Sequence, residues 1–273
     1  MEKGILYFIW QGPKQSAEQT YEREFKLAIK SAASVKEQLG DIHTTLFTNL
    51  KGIASIPEID NLVEHHSNYL DRKGLPDIWV YKYECLLQSP YELTIHLDAD
   101  TYACSDFSET WDVMEYFDLA IPLSVTRLSR PYTVPVCFPE PAGGFMLWKK
   151  NSKMKKLLEE IKKLLIKRTG GCDEPFIRIA LYYSDIRYAI LPEEYNCIYT
   201  HPGYLFGEVK IMHGRRDSII DDAKIFNTKV YEDYPPWKRL HTGNKLLLFR
   251  KKRQKIQEIV EEIDYQNGGN IRA

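Results

Sequence analysis

The chain has 273 residues, 44% of them hydrophobic, and can bury a large core in one domain or in a domain with an appendage. Its 37 basic and 38 acidic residues give a net charge of −1, which excludes a global field drawing it to nucleic acid or an anionic membrane. No apolar segment approaches the roughly 20 residues of a membrane span. Five scattered cysteines without a C-x-x-C pair argue against a disulfide framework and a zinc site. We therefore expect a cytoplasmic protein.

The first fifty residues read as a strand, a helix and a second strand. Residues 4–10 are rich in β-branched and aromatic side chains and end at Gln11-Gly12-Pro13. Apolar residues at helical spacing follow as far as Gly40, and residues 43–48 form the next strand. A crossover helix of this length favours parallel neighbours, which places Trp10 and Gln11 at the carboxyl edge of the sheet.

A lysine lies among apolar neighbours in the next predicted helix. Residues 51–70 are irregular and predict a loop, after which Pro76 suits the first turn of a helix that runs to about residue 88. Lys82 is in the middle of this helix. Its side chain either extends along the apolar surface to reach water, the more common case, or binds phosphate.

Two aspartates follow the next strand. Residues 93–97 form a short apolar run, so Asp98 and Asp100 fall where the strand ends and a loop begins. In an open α/β sheet, ligands bind beyond the carboxyl ends of the strands, and two carboxylates there can converge on a hard divalent cation. A solvated turn is the alternative for such a tripeptide.

Regular patterning stops after a further helix and strand. Residues 106–117 predict a short helix capped by Ser105 or Asp106, and residues 118–123 a strand. Residues 124–141 hold four prolines and two arginines without periodicity. We interpret this segment as a mobile lid on the acceptor side, with a passive loop as the alternative.

Another strand and an amphipathic helix come next. Gly143 and Gly144 precede an apolar run over residues 145–148. The two glycines permit close approach of the backbone to a ligand, and side-chain packing is the alternative explanation. Asn151 or Ser152 can cap an amphipathic helix that ends at Gly170-Gly171.

An acidic pair, Asp173-Glu174, opens the next helix, which runs to about residue 183. Carboxylates at a helix start are commonly caps that suit the helix dipole. One of the two can cap while the other faces the cleft and takes a catalytic or acceptor-binding role.

A histidine and two arginines follow the last short strand of this region. After a strand over residues 186–191, residues 209–212 form an apolar run that leads to His213, Arg215 and Arg216. Histidine is a common metal ligand, and the arginines could hold phosphate oxygens.

The last forty residues differ in composition. We predict a catalytic domain over residues 1–233 and, over residues 234–273, a proline-containing linker and a basic amphipathic helix. The helix packs on its own chain or pairs with a second copy as a homodimer; a peripheral membrane contact is the alternative.

In this order the motifs resemble GT-A-type glycosyltransferases, which move a sugar from a nucleoside diphosphate to an acceptor. The resemblance covers residues 4–217. Lys82 to Thr101 is similar to the stretch that leads into L-D-x-D-T, and the AGGFMLWKK segment resembles the glycine-containing acceptor-side strand. Asp173-Glu174 stands where members carry an acidic pair or Asp-Gln, and the LPEEYN segment and His213-Gly214 resemble the later motifs.

The resemblance implies an α/β fold of the GT-A, Rossmann-like type, with a mixed, mostly parallel sheet flanked by helices. It implies that Asp98, Asp100 and His213 bind Mn²⁺ or Mg²⁺, with Asp98 also near the ribose. It also implies a role in donor binding for Ile9, Trp10, Gln11, Lys82, Arg215 and Arg216, and a role in catalysis for Asp173 and Glu174.

The expected reaction transfers a sugar from a nucleotide sugar, expected to be a UDP-sugar, to a hydroxyl of a glycan or other acceptor. Whether the transfer inverts or retains configuration stays open. The alternative is an inactive nucleotide-sugar-binding or scaffold protein on the same fold. A phosphatase of the D-x-D-x-T type is disfavoured because Tyr102 occupies the required threonine position.

Overall fold

The computed structural model describes residues 2–67, 69–70, 77–124, 134–167, 171–198, 205 and 207–214. Several predictions fall outside these ranges, and the structure does not bear on them. They are the phosphate contacts of Arg215 and Arg216, the linker and helix over residues 234–273, residues 125–133 of the predicted lid, and the turn at Pro76.

The described residues form ten strands, six α-helices, one π-helical turn and one 3₁₀ helix, Glu193–Tyr195. The strands are β1 (Lys3–Ile9), β2 (His43–Thr48), β3 (Asn61–Glu64), β4 (Leu93–Leu97), β5 (Thr101–Ala103), β6 (Leu119–Pro122), β7 (Phe145–Lys149), β8 (Tyr188–Leu191), β9 (Cys197–Ile198) and β10 (Ile211–His213). The helices are α1 (Ala17–Thr20), α2 (Lys26–Leu39), α3 (Ile78–Leu86), α4 (Thr110–Val113), α5 (Ser152–Lys167) and α6 (Glu174–Tyr182). A π-helical turn, Tyr21–Phe25, joins α1 to α2.

Seven strands form one mixed sheet in the order β3-β2-β1-β4-β7-β6-β8. Strands β1, β2, β3 and β4 are parallel to one another, and β6 is parallel to β8, whereas β7 runs antiparallel to both β4 and β6. The expected fold class, a mixed and mostly parallel sheet with flanking helices, is confirmed. The carboxyl ends of β1, β2 and β4 share one edge of the sheet, where ligands bind in such folds.

Alternation along the strands supplies a separate core on each face of the sheet. In β1, Ile5 and Tyr7 face the core that includes α2, whereas Leu6 faces the core beneath α3 and α5. Successive side chains of a strand point to opposite faces, so a continuous apolar run is needed when both faces are covered. Among the described residues, no helix is both long and apolar enough to span a bilayer.

A second, three-stranded sheet lies beside the main one in the order β5-β10-β9. Strand β10 pairs antiparallel with β5, and in this register His213 lies opposite Thr101. The apolar run found in the sequence over residues 209–212 overlaps β10, and the sequence predicted neither β5 nor β9. This small sheet brings His213 back to the end of β4.

Two predicted elements and one predicted helix cap differ from the observed structure. Residues 51–70 contain strand β3 rather than only a loop, because Leu62 and Val63 pair with β2. The helix predicted over residues 106–117 is confined to α4. The predicted cap is wrong: Asp106 accepts a hydrogen bond from the amide of Ser108 in a preceding turn, 2.8 Å away, and Glu109 precedes the helix without a side-chain cap.

Two helix caps hold the neighbours of the site in place. Asp77 caps α3 by accepting hydrogen bonds from the amides of Trp79 and Val80. Asn151 caps the start of α5, where its Oδ1 accepts a hydrogen bond from the amide of Met154 at 2.8 Å. The cap predicted at residue 151 or 152 is therefore Asn151.

Candidate active site

Three ligating side chains from two distant parts of the chain meet at the carboxyl edge of the main sheet. Asp98 and Asp100 follow β4 directly, and His213 ends β10. One ligand atom from each lies within 4.8 Å of the others. Nε2 of His213 is 3.3 Å from Oδ1 of Asp100 and 3.7 Å from Oδ2 of Asp98. The structure thus brings together the three residues that the sequence singled out for a metal.

The backbone around the aspartates is fixed by strand pairing and by one buried threonine. The amide of Asp98 donates to the carbonyl of Gly144, continuing the β4–β7 ladder, and the amide of Gly214 donates to the carbonyl of Asp100. The hydroxyl of Thr101 donates to the carbonyl of Asp98 at 2.8 Å and closes the turn between β4 and β5. Both carboxylates are consequently held at defined positions.

Asn196 determines which nitrogen of His213 faces the aspartates. Its Oδ1 lies 2.9 Å from Nδ1 of His213, and an amide oxygen can only accept, so Nδ1 carries the proton. Nε2 then faces the two carboxylates. Burial lowers the pKa of His213, but the hydrogen bond and charge of Asp100 and the charge of Asp98 outweigh burial and raise it.

This donor set fits a hard divalent cation. Two carboxylates and one imidazole nitrogen point into the same space, and only a proton or a cation can lie between such groups without repulsion. Oxygen ligands with one imidazole suit Mn²⁺ or Mg²⁺ better than a thiolate-rich set would. Asn196 supplies the outer hydrogen bond that metal-binding histidines commonly make.

Lys82 is buried next to this cluster. Its side chain is 0% exposed, so the idea that it extends along the surface to water is wrong. Its Nζ lies 3.0 Å from the carbonyl oxygen of Gly143, 3.1 Å from Oδ2 of Asp173 and 3.5 Å from Oδ1 of Asp98. Burial lowers the pKa of Lys82, but the two carboxylates outweigh burial and raise it, so the ammonium stays charged.

Asp173 faces the site and does not cap α6. It precedes the helix, but its carboxylate makes no capping hydrogen bond. Instead, Oδ2 accepts a hydrogen bond from the hydroxyl of Tyr83 at 3.2 Å in addition to the contact with Lys82. Burial and the charge of Asp173 raise the pKa of Tyr83 well above its ordinary value, so its hydroxyl remains a donor.

The pKa of Glu174 lies near neutrality. Burial and the charges of Asp173 and Glu140 raise its pKa to about 7, although the hydroxyl of Ser124 and the charge of Lys82 act in the opposite direction. That hydroxyl lies 3.3 Å from Oε2 of Glu174. A carboxyl group with such a pKa can exchange a proton with a substrate near neutral pH.

The residues predicted to hold the nucleotide lie at the end of β1. The side chain of Ile9 is 1% exposed and belongs to the core, which leaves its backbone at the sheet edge. The ring of Trp10 packs on Tyr81, with 4.8 Å between ring centres. The amide of Gln11 donates to Oδ1 of Asn49, which follows β2, at 2.7 Å. The two strand ends are thereby tied together.

Sequence reasoning gave no role to His96, Tyr83 or Asn196. His96 lies two residues before Asp98, and its Nε2 is 3.1 Å from Oδ1 of Asp98. Side chains two residues apart in a strand lie on the same face of the sheet. His96 could therefore have been predicted from its position two residues before Asp98. The roles of Tyr83 and Asn196 depend on tertiary contacts that no local pattern carries.

Comparison with solved structures shows the fold. The galactosyltransferase LgtC, in complex with donor and acceptor sugar analogues, is similar with a TM-score of 0.54 and 13% identity. An active-site mutant of LgtC gives a TM-score of 0.52 and 13% identity, and each match covers 86% of this chain and 99% of the other. The chain has the GT-A fold. No protein-family model matches the sequence, and no curated protein matches it either.

Proposed function

We propose that this protein is a metal-dependent glycosyltransferase that transfers a sugar from a nucleoside diphosphate sugar, with UDP as the expected nucleotide, to a hydroxyl of a glycan or other acceptor. The observation that carries the proposal is the meeting of Asp98, Asp100 and His213 at the carboxyl edge of a GT-A sheet. The galactosyltransferase activity named for the structural neighbours supports it at the level of fold.

Each ligand would contribute to holding Mn²⁺ or Mg²⁺. In such a site the cation stabilises, as a Lewis acid, the negative charge that develops on a departing diphosphate. Asp98 and Asp100 supply anionic oxygens, and His213 supplies Nε2. Because His213 has a raised pKa without the cation, metal binding releases its proton and weakens at acidic pH.

The nucleotide would lie over the ends of β1 and β2, where Ile9, Trp10 and Gln11 face the carboxyl edge. Arg215 and Arg216 are assigned to the phosphates on the basis of the sequence. Lys82 was assigned to the donor as well, but its ammonium already faces Asp98, Asp173 and a backbone carbonyl.

Asp173 and Glu174 are the proposed catalytic carboxylates. An inverting transfer needs a base for the acceptor hydroxyl, and Glu174 suits this role because its pKa is about 7. Asp173, whose Oδ2 is held by Lys82 and Tyr83, suits a fixed binding role. The anomeric configuration of the product, measured by NMR, distinguishes inversion from retention.

A thermal-shift screen of nucleotides and nucleotide sugars, with and without Mn²⁺, tests the proposal. Ligands that bind only the native state raise the melting temperature. We expect a shift with UDP that requires Mn²⁺. Binding of UDP that is indifferent to Mn²⁺ would instead favour an inactive binding or scaffold protein, and a shift with GDP or CMP alone would contradict the choice of nucleotide.

The same assay on Asp100→Ala tests the metal site. We expect this variant to lose Mn²⁺-dependent nucleotide binding while remaining folded, because one anionic ligand is gone. Asp185→Ala is the matched control, since Asp185 pairs with Lys153 on the surface and its side chain is 75% exposed. Unchanged nucleotide affinity in Asp100→Ala would remove the main support for the proposal.

A further inference from the structure

Lys82 lies between two carboxylates of the site with all its donors directed at protein atoms. An ammonium has three N–H groups and no acceptor. The acceptors near Nζ are also three: Asp98, Asp173 and the carbonyl of Gly143. The rings of Phe8 and Trp79 lie 5.8 Å and 5.7 Å from Nζ and help to close its surroundings.

The two oxygens of Asp98 face different neighbours. Oδ1 lies 3.5 Å from Nζ of Lys82 and 3.1 Å from Nε2 of His96. Oδ2 lies 3.7 Å from Nε2 of His213, on the side of the three-ligand cluster. These contacts fix the plane of the carboxylate, so that one oxygen faces Lys82 and His96 and only the other faces the cluster.

Asp173 is held by the same ammonium. Its Oδ2 accepts from Lys82 and from Tyr83 and lies against Gly143, where an added Cβ would come within 3.0 Å of Oδ2 and 3.2 Å of Nζ. The ion pair therefore fills the space that a side chain at residue 143 would occupy. A single buried charge thus links the end of β4 to the start of α6.

We propose that Lys82 is a positioning residue, which holds Oδ1 of Asp98 so that Oδ2 alone is presented to the divalent cation and fixes Asp173 at the start of α6. The inference rests on the proposed function for its cation. Its geometric part concerns only the orientation of two carboxylates and can be observed without metal.

A charge effect and a positioning effect of Lys82 have opposite signs. If Lys82 acted only through its charge, its removal would strengthen cation binding, because a nearby positive charge repels the cation. If Lys82 orients Asp98, its removal weakens cation binding, and loss of such outer contacts typically costs about 10- to 100-fold in metal affinity. The direction of the change therefore separates the two roles.

The test uses the full chain and Mn²⁺ alone, with free Mn²⁺ measured by electron paramagnetic resonance. Lys82→Met would leave Asp173 buried without its counter-charge, which endangers folding. The informative variant is therefore Lys82→Met combined with Asp173→Asn. Its reference is Asp173→Asn alone, which retains Lys82. A second control is Lys36→Met, which removes a lysine that pairs with Asp60 away from the site.

We expect the double variant to bind Mn²⁺ about 10- to 100-fold more weakly than Asp173→Asn, and Lys36→Met to match the wild type. A metal-free crystal structure of the double variant should show the Asp98 carboxylate turned from its present orientation. Unchanged or tighter Mn²⁺ binding, or an Asp98 carboxylate that keeps its orientation, would overturn the inference. If the wild type binds no Mn²⁺, the proposed function fails, and the orientation of Asp98 alone decides the role of Lys82.

Discussion

Two adjacent glycines leave the space that the charged groups of the site occupy. A Cβ on Gly143 would meet Asp173 and Lys82, and one on Gly144 would lie 2.5 Å from Cε1 of His213 and 2.9 Å from Oδ1 of Asn196. Neither glycine has a left-handed backbone conformation, so the requirement is for space and not for flexibility. The sequence indicated a close approach here, but it pointed to a ligand and not to these side chains.

Gly144→Ala should displace His213. The added Cβ cannot coexist with the imidazole at 2.5 Å, and overpacking of this kind costs about 1–3 kcal/mol of unfolding free energy. We expect Mn²⁺ affinity, measured by calorimetry, to fall about 10-fold or more. Gly207→Ala is the control because a Cβ added there would lie 4.0 Å from the nearest atom, Oε1 of Glu194. Equal Mn²⁺ affinity in the two variants would contradict this role of Gly144.

Glu174→Gln should stabilise the protein at alkaline pH. The folded-state pKa of Glu174 is about 7 against an ordinary 4.5, so the native state binds its proton more tightly than the unfolded state does. Stability contributed by this group therefore falls as pH rises through that window and is lowest above it. At about 1.4 kcal/mol per pKa unit, discounted for partial exposure, we expect a gain of about 2 kcal/mol.

Urea unfolding of Glu174→Gln and the wild type, at about pH 4 and about pH 8, checks the sign of this effect. The variant should be more stable only at the higher pH. Equal gains at both values would mean that the substitution acts through packing and not through the charge of Glu174.

At the scale of elements, helix α2 supports the turn that carries the aspartates. Thr101 donates to the carbonyl of Asp98, so the hydroxyl of Ser31 must donate to Thr101 and that of Tyr7 to Ser31, over 2.9 Å and 3.0 Å. Burial raises the pKa of Tyr7, which keeps its hydroxyl a donor. This buried relay connects β1, α2 and β5 to the backbone of the site.

Thr101→Val should loosen this turn. Valine has the shape of threonine without the hydroxyl, so the Asp98 carbonyl and the Ser31 hydroxyl each lose a partner, at a cost of about 1–3 kcal/mol. We expect a lower melting temperature and weaker Mn²⁺ binding. The control is Thr110→Val, which removes a buried hydroxyl that donates to the carbonyl of Phe107. That control should lower stability without changing Mn²⁺ affinity.

The small sheet could not be predicted from local pattern. Strands β5 and β10 have three residues each and β9 has two, which is too short for an alternation of apolar and polar side chains to be recognised. Their pairing is fixed by tertiary contacts, as is the register that sets His213 opposite Thr101. Strands β2 and β4, by contrast, have the bounds that the sequence predicted, because each is a longer run closed by turn residues.

At the scale of the whole molecule, the parallel half of the sheet was predictable and the antiparallel strand was not. The β-α-β start implies parallel neighbours, and β1 and β2 pair in this way. Strand β7 lies between β4 and β6 and is antiparallel to both, and its own residues do not indicate the direction of the strand. The three candidate metal ligands were found because polar side chains at strand ends follow the general rule for open α/β sheets.

Deletion of residues 234–273 should leave Mn²⁺-dependent nucleotide binding unchanged within about twofold. The predicted catalytic domain ends at residue 233, and Asp98, Asp100 and His213 all precede that boundary. Calorimetry with UDP and Mn²⁺ measures this. Deletion from residue 209 onward also removes β10 and His213 and should abolish the metal-dependent part. A large loss of nucleotide affinity on deletion of residues 234–273 would show that this C-terminal segment contributes to the site.

The position of His213 on the last described strand has a consequence for biosynthesis. The two aspartates leave the ribosome long before the imidazole does, and the imidazole reaches them only when β10 adds to β5. A nascent or prematurely terminated chain therefore offers a divalent cation two carboxylates and no third ligand. Under the proposed function, cation loading would distinguish a finished domain from an unfinished one, and it would require translation past codon 213.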